Sequence, residues 1–238
     1  MHWQYSPYII PQLISTLISA SVAVLAWRRR TVPGAAALAV IMLGISQWSL
    51  ATTLQWASAD LAAQLFWFKF RFFGTELLSL MYLVMALQYT GHSQRLTRRN
   101  MALLVVLPLL SLGALWTNDA HHLFFTSAQL VQSGSFVALD VEFGPWFWLH
   151  TAYDYLLLTS ALLIFLRTLL RSPQFYRAQL AAIMLSAVMP LSANILFVSN
   201  LSPFPYLDLT PLFFTLTGIT YLVGFFRLHM WDITPAAR

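Results

Sequence analysis

Lys69, Arg71 and Glu76 fall within the twelve-residue stretch "WFKFRFFGTELL", residues 67–78, in the middle of a long apolar run. Charge in such surroundings is expensive and marks a functional site by default. Lys69 and Arg71 suit an anionic group. Glu76, seven residues past Lys69, lies nearly two helical turns further along the same face, while Arg71 points elsewhere. A second apolar run carries His150 and Asp154 at i,i+4 spacing on one face. A third brings Pro190 and Asn194. Pro190 lacks a backbone donor, which leaves the Ser186 carbonyl without its helical partner. These groups point to recognition and not to bond-breaking. The chain has no cysteine, which excludes disulfides and thiolate chemistry. No phosphate loop, zinc-hydrolase motif or nucleophile beside a base is present, so no catalytic centre is expected. His150 and Asp154 have metal-compatible spacing, but two ligands make no site. His121 and His122 are adjacent and point different ways. No metal or other cofactor is expected.

The elements that carry these residues are membrane helices. Of 238 residues, 59% are hydrophobic and 9% charged, against roughly a quarter charged in soluble domains. Runs long enough to span a bilayer, ~20 mostly apolar residues, lie at 6–27, 33–57, 61–90, 101–117, 145–168, 178–200 and 209–228. The expected fold is an all-α integral membrane bundle of seven transmembrane helices. The first run lacks a basic flank and a small-residue cleavage site, and is read as a retained span.

The charges orient the bundle. Arg28, Arg29, Arg30, Arg95, Arg98, Arg99, Arg167, Arg171, Arg177, Arg227 and Arg238 are eleven of the thirteen basic residues. All fall on one side of a seven-span alternation. Asp60, Asp119, Asp140, Glu142 and Asp208 fall on the other. Basic loops stay in the cytoplasm, so the N-terminus is expected outside and the C-terminus inside. The positive net charge thus needs no nucleic acid. On the outer side, residues 118–144 read as a β-hairpin between helices four and five, with Ser133-Gly134 as its tight turn. It serves either as a connector or as a lid over an outward-opening cavity. Helix seven opens with Thr210 as N-cap and Pro211 at the first helical position.

In this frame the ionisable and amide groups gather in the outer half of the bundle. The expected ligand-binding residues are Lys69, Arg71, Glu76, His150, Asp154, Asn194, Trp48 and Tyr153, walled by further aromatics such as Trp67, Phe73 and Trp146. The alternative is a structural network in which Glu76 meets a base from another helix and Asp154 meets His150. Lys69 and Arg71 also have the option of snorkelling to the outer headgroups.

The segments "LQYTGHSQRLTRRN", "LWTNDAHHLFF", "GPWFWLHTAYDYLLL" and "YLDLTPLFFTLTGITYLVGFFRLHMWDITPAAR" together resemble the seven-transmembrane N-terminal sensor region of bacterial and archaeal histidine kinases. The resemblance covers nearly the whole chain. It implies a sensor domain at 1–228 and a junction at 229–238, where Thr234 and Pro235 begin a helix leading to an absent cytoplasmic output, a histidine kinase or diguanylate cyclase. It further implies a homodimer in a prokaryotic inner membrane, and it carries over no ligand and no binding residue. The expected partner is a small molecule entering from outside, with membrane lipid around the bundle. Competing readings are a small transporter and a lipid-sensing anchor. A rhodopsin-type pigment needs a lysine on helix seven, whereas the one lysine here is Lys69.

Overall fold

A computed structural model describes residues 2–134, 136–203 and 206–227. The expected junction at 229–238, with Thr234 and Pro235, lies outside the described residues. The described residues form seven α-helices and one hairpin: α1 (Ile9–Arg28), α2 (Ala35–Ala57), α3 (Leu61–Tyr89), α4 (Arg98–Trp116), β1 (Phe125–Ser133), β2 (Phe136–Phe143), α5 (Pro145–Arg171), α6 (Gln174–Val198) and α7 (Thr210–Arg227). Six of the helices are long and apolar enough to cross a membrane. α7 is not among the six: its described part is eighteen residues and ends on Arg227.

Local chemistry sets the boundaries. Asp60 begins α3 by accepting from the Ala63 amide at 2.9 Å, and Thr97 begins α4 by accepting from the Asn100 amide at 3.2 Å. Pro145 occupies the first turn of α5, where its missing donor is no loss. α2 lies at the centre, packed along α1 and α3 and touching α7, while α7 packs against α6 and α1. The largest core joins α2, α3, α5, α6 and α7 through Leu38, Met42, Met85, Tyr89, Phe165, Ile183 and Tyr221. α4 lies at the periphery, with Leu103 and Leu109 outward. Apolar side chains on such a face meet lipid in a membrane bundle.

The hairpin is tied down at both ends. Gln4 donates through Nε2 to the Val137 carbonyl at 2.8 Å and the Ser58 carbonyl at 2.9 Å, and accepts from the Val137 amide at 2.8 Å. Gln64 donates to the same two carbonyls, each at 2.8 Å. At the other end the Asn118 side chain, fully buried, accepts from the Phe124 amide at 2.8 Å and donates to the Phe125 carbonyl at 2.9 Å. The turn lies one residue later than expected. Ser133 pairs with Phe136, and Gly134, at φ +62°, is the first loop residue. A two-residue hairpin turn asks for positive φ there, which glycine adopts without strain and serine does not.

α2 and α3 approach closely at a pair of glycines, Gly44 and Gly74. A Cβ added to Gly74 would strike the Gly44 carbonyl and the Gln47 side chain, and Gln47 Nε2 donates to the Phe70 carbonyl at 2.8 Å. Gly74→Val is therefore expected to destabilise the bundle by about 1–3 kcal/mol through overpacking. Gly113→Ala on α4, where nothing lies within 4 Å, is expected to be neutral or slightly stabilising. Thermal unfolding of the two purified variants in mild detergent checks both.

Candidate functional site

Pro190 interrupts α6, and the Ser186 carbonyl finds its missing donor on another helix. Thr217 Oγ1 of α7 donates to it at 2.7 Å. One turn earlier, the Ile183 carbonyl accepts from Ser186 Oγ at 2.7 Å and from the Tyr82 hydroxyl of α3. Ser186, Thr217 and Tyr82 are all buried. With no water in hydrocarbon to satisfy the carbonyl freed by a proline, neighbouring side chains take that role.

Beside this joint lies a cavity of about 150 Å³. α2 contributes Met42, Ile45 and Trp48, α6 contributes Ala187, Pro190 and Asn194, and α7 contributes Phe214 and Thr217. Arg71 and Tyr82 of α3 and His150 and Asp154 of α5 complete it. Trp48 and Phe214 meet edge to face with centroids 5.2 Å apart, and Tyr155 donates to Asn194 Oδ1 at 2.7 Å. A mostly apolar wall with a few convergent polar groups is the composition of a small-molecule site. A wider cleft of about 380 Å³ adjoins it at the hairpin end and reaches the surface at Trp148 and Tyr206. The two spaces share Arg71, Phe143, Phe197, Val198 and Asp208.

Arg71 therefore stands between cleft and cavity. It is 7% exposed, and its Nη1 lies 3.7 Å from Asp208 Oδ2, too far for a hydrogen bond. Its guanidinium lies 4.6 Å from the Phe68 ring centroid and 5.6 Å from that of Phe72. Among the described residues nothing accepts a hydrogen bond from it. The other oxygen of Asp208 accepts from the Thr210 amide at 3.0 Å. This corrects the expected cap: Asp208 closes the start of α7, and the Thr210 hydroxyl, buried, makes no hydrogen bond among the described residues.

Glu76, His150 and Asp154 form a separate group. Glu76 Oε1 lies 3.3 Å from His150 Nδ1, and Asp154 Oδ2 lies 3.4 Å from His150 Nε2. Ser79 donates to Asp154 Oδ1 at 2.6 Å. One atom from each of the three lies within 4.8 Å of the others, which adds a third potential ligand to the His150–Asp154 pair. The arrangement nevertheless suits a proton better than a metal ion. One imidazole nitrogen faces each carboxylate, whereas a metal binds on one side of the ring.

The eight residues singled out in the sequence thus separate. Arg71, His150, Asp154, Asn194 and Trp48 line the cavity, and Glu76 lies behind His150. Lys69 does not reach it. Its Nζ pairs with Asp119 at 3.4 Å and lies 5.5 Å from the Phe125 ring. Tyr153 points away and donates to the Leu104 carbonyl of α4 at 2.7 Å. Of the further wall aromatics, Trp67 packs on Phe66 and Phe70, Phe73 is exposed, and Trp146 donates to Ser111 at 3.2 Å. None of the three lines the cavity. Asp208, Ser79 and Thr217 went unnoticed as site residues. Asp208 had a readable signal, an aspartate two residues before a Thr-Pro helix start.

The family model for the N-terminal 7TM region of histidine kinase matches residues 11–235. The chain belongs to that family. It is a membrane protein of the histidine kinase sensor type, as the six apolar helices agree. No curated protein and no solved structure matches it.

The α6–α7 joint gives a test of the bond that holds this sensor region together. Thr217→Val keeps the shape and removes the donor, and is expected to lower stability by about 1–2 kcal/mol, because a buried carbonyl is left unsatisfied. Thr217→Ser should keep most of the wild-type value. Denaturant unfolding of both variants in detergent reads the difference.

Proposed function

We propose that this seven-helix region is the ligand-sensing input of a membrane receptor. In this reading all seven helices cross a prokaryotic inner membrane, with the N-terminus and hairpin outside and the C-terminus in the cytoplasm. A small molecule enters by the cleft beside the hairpin and binds in the cavity between α2, α3, α5, α6 and α7. Binding selects one of two arrangements of α7 against α6, through its differential affinity for them. α7 then delivers that choice to a cytoplasmic histidine kinase or diguanylate cyclase, working as a homodimer. The sensor region itself carries no catalysis.

The observation that supports this most is the position of the cavity. It touches both partners of the broken-helix joint, Pro190 and Thr217, and adjoins a cleft at the surface. A transporter is less well supported. Beyond the cavity, toward the arginine-rich end, Leu38, Met85, Tyr89 and Leu180 fill the interior and are buried, and internal repeats are lacking.

Two measurements test the reading. With no native cysteine, a single one at Gln129 on the hairpin should react with a membrane-impermeant maleimide on intact cells, and one at Arg95 only after permeabilisation. The opposite labelling would overturn the orientation. Native mass spectrometry of the purified protein should show a small molecule retained by the wild type and lost from Ala187→Phe, which fills the cavity. Val188→Phe, on the exposed side of α6, should retain it. Equal retention in all three counts against the cavity.

A further inference from the structure

We propose that the ligand is an apolar molecule bearing a carboxylate, and that it acts by taking Arg71 away from Asp208. The inference rests on the cavity being the ligand site, and adds the ligand's chemical class and the contact through which it is felt.

Arg71 is the starting point. A guanidinium has five N–H donors in a fixed fork. Here it is buried beside two rings and has one anion at 3.7 Å, beyond the 2.7–2.9 Å of charge-assisted hydrogen bonds. Arg71 lines both the cleft and the cavity. A carboxylate arriving there can form the bidentate pair that Asp208 does not form. Arginine matches carboxylate in geometry as well as charge.

The other acidic groups do not oppose this choice. Asp154 faces the cavity, but its oxygens turn to Ser79 and His150. Glu76 is outside the cavity wall, and Lys69 is held by Asp119. Hydroxyls and the Asn194 amide apart, much of the wall is apolar, with Ile45, Trp48, Leu158, Ala187 and Phe214 among it. An anionic head at Arg71 places an apolar body against these side chains, and about 150 Å³ admits a short acyl chain or a single ring, not a large solute.

The consequence for signalling follows from Asp208. One of its oxygens faces Arg71 and the other caps the first amide of α7. When the ligand's carboxylate takes the guanidinium, Asp208 loses the cation that holds it toward α3, and the start of α7 loses its tether to that helix. Caps and helix-terminal charges act within a single turn, so the effect falls on the entry to α7.

Equilibrium dialysis of the chain in phosphatidylcholine nanodiscs, with empty discs subtracted, tests the assignment using hexanoate and its neutral isostere hexanamide. Hexanoate should bind at one saturable site, about tenfold or more tighter than hexanamide, and Arg71→Met should erase that preference. Asp208→Asn, which removes the competitor, should bind hexanoate more tightly than wild type. Spin labels on cysteines at Leu43 of α2 and Val223 of α7, both exposed, should report the same distance change for hexanoate on the wild type and for Asp208→Asn alone. Absent hexanoate binding, equal binding of the two probes, or an unchanged α7 distance in Asp208→Asn would each overturn the proposal. If both probes bind equally and Ala187→Phe abolishes both, the cavity stands and only the carboxylate assignment falls. Hexanoate binding that survives Ala187→Phe removes the cavity itself.

Discussion

The carbonyl of Ser186 determines how α6 and α7 meet. Pro190 deprives it of the amide that a regular helix supplies, and a membrane interior offers no water in exchange. Thr217 meets the need from α7, at 2.7 Å. That bond fixes the register of the two helices at one level and brings Tyr82 of α3 to the neighbouring Ile183 carbonyl. α6 runs on as one helix through Pro190, and Pro190, Ser186 and Thr217 all line the cavity. Asn194 and Phe214 line the same space as Ser186 and Thr217.

The buried charges fall into three groups that differ in completeness. Lys69 pairs with an Asp119 whose side chain is 79% exposed, and pairs so open to solvent contribute little. Glu76, His150 and Asp154 place an imidazole between two carboxylates, and Ser79 donates to Asp154, but Glu76 Oε1 and Oε2 and His150 Nδ1 make no hydrogen bond among the described residues. That group brings α3 and α5 together by charge and by the Ser79–Asp154 hydrogen bond. Arg71 and Asp208 are different. They are close enough to attract, too far to hydrogen-bond, and both border open space. A buried ion pair with imperfect geometry recovers its desolvation cost poorly. The structure thus separates the buried charges into a cluster between α3 and α5 and an ion pair beside open space, where the sequence left the choice between network and site open for the whole cluster.

Much of this was legible from the chain. Length and hydropathy located all seven helices within a few residues, because an apolar run bounded by arginines, glycine or proline leaves little freedom. The hairpin was legible from alternating residues around Gly134, and the freed carbonyl from Pro190 alone. Helical periodicity also separated Arg71 from Lys69 and Glu76. It could not say which face looks into the cavity, since that depends on how α3 is rotated against α2, where Gly44 and Gly74 allow close approach. For the same reason Lys69 was assigned to the site and reaches Asp119 instead, and Tyr153 was assigned to it and reaches α4. Asp208 was hidden for another reason. It lies in a connection without periodicity, and its partner is 137 residues away in sequence, so only tertiary structure joins them.

The proposal that α7 is the output helix draws its support from how that helix is held. Near its middle Thr217 binds Ser186, and Gly218 lets Ile18 of α1 approach so closely that any Cβ would strike it. Near its last turn the Arg29 guanidinium lies 5.8 Å from the Phe225 ring. Those attachments involve groups that are satisfied, or packing that is close. The attachment at the first turn runs through Asp208 to an arginine at 3.7 Å that has no hydrogen-bonded partner among the described residues. A helix held firmly at its middle and weakly at one end responds at that end first, and a rigid helix carries a change of angle along its length. The weak end is the one beside the cleft, so under the proposed reading a binding event there would act where α7 resists least.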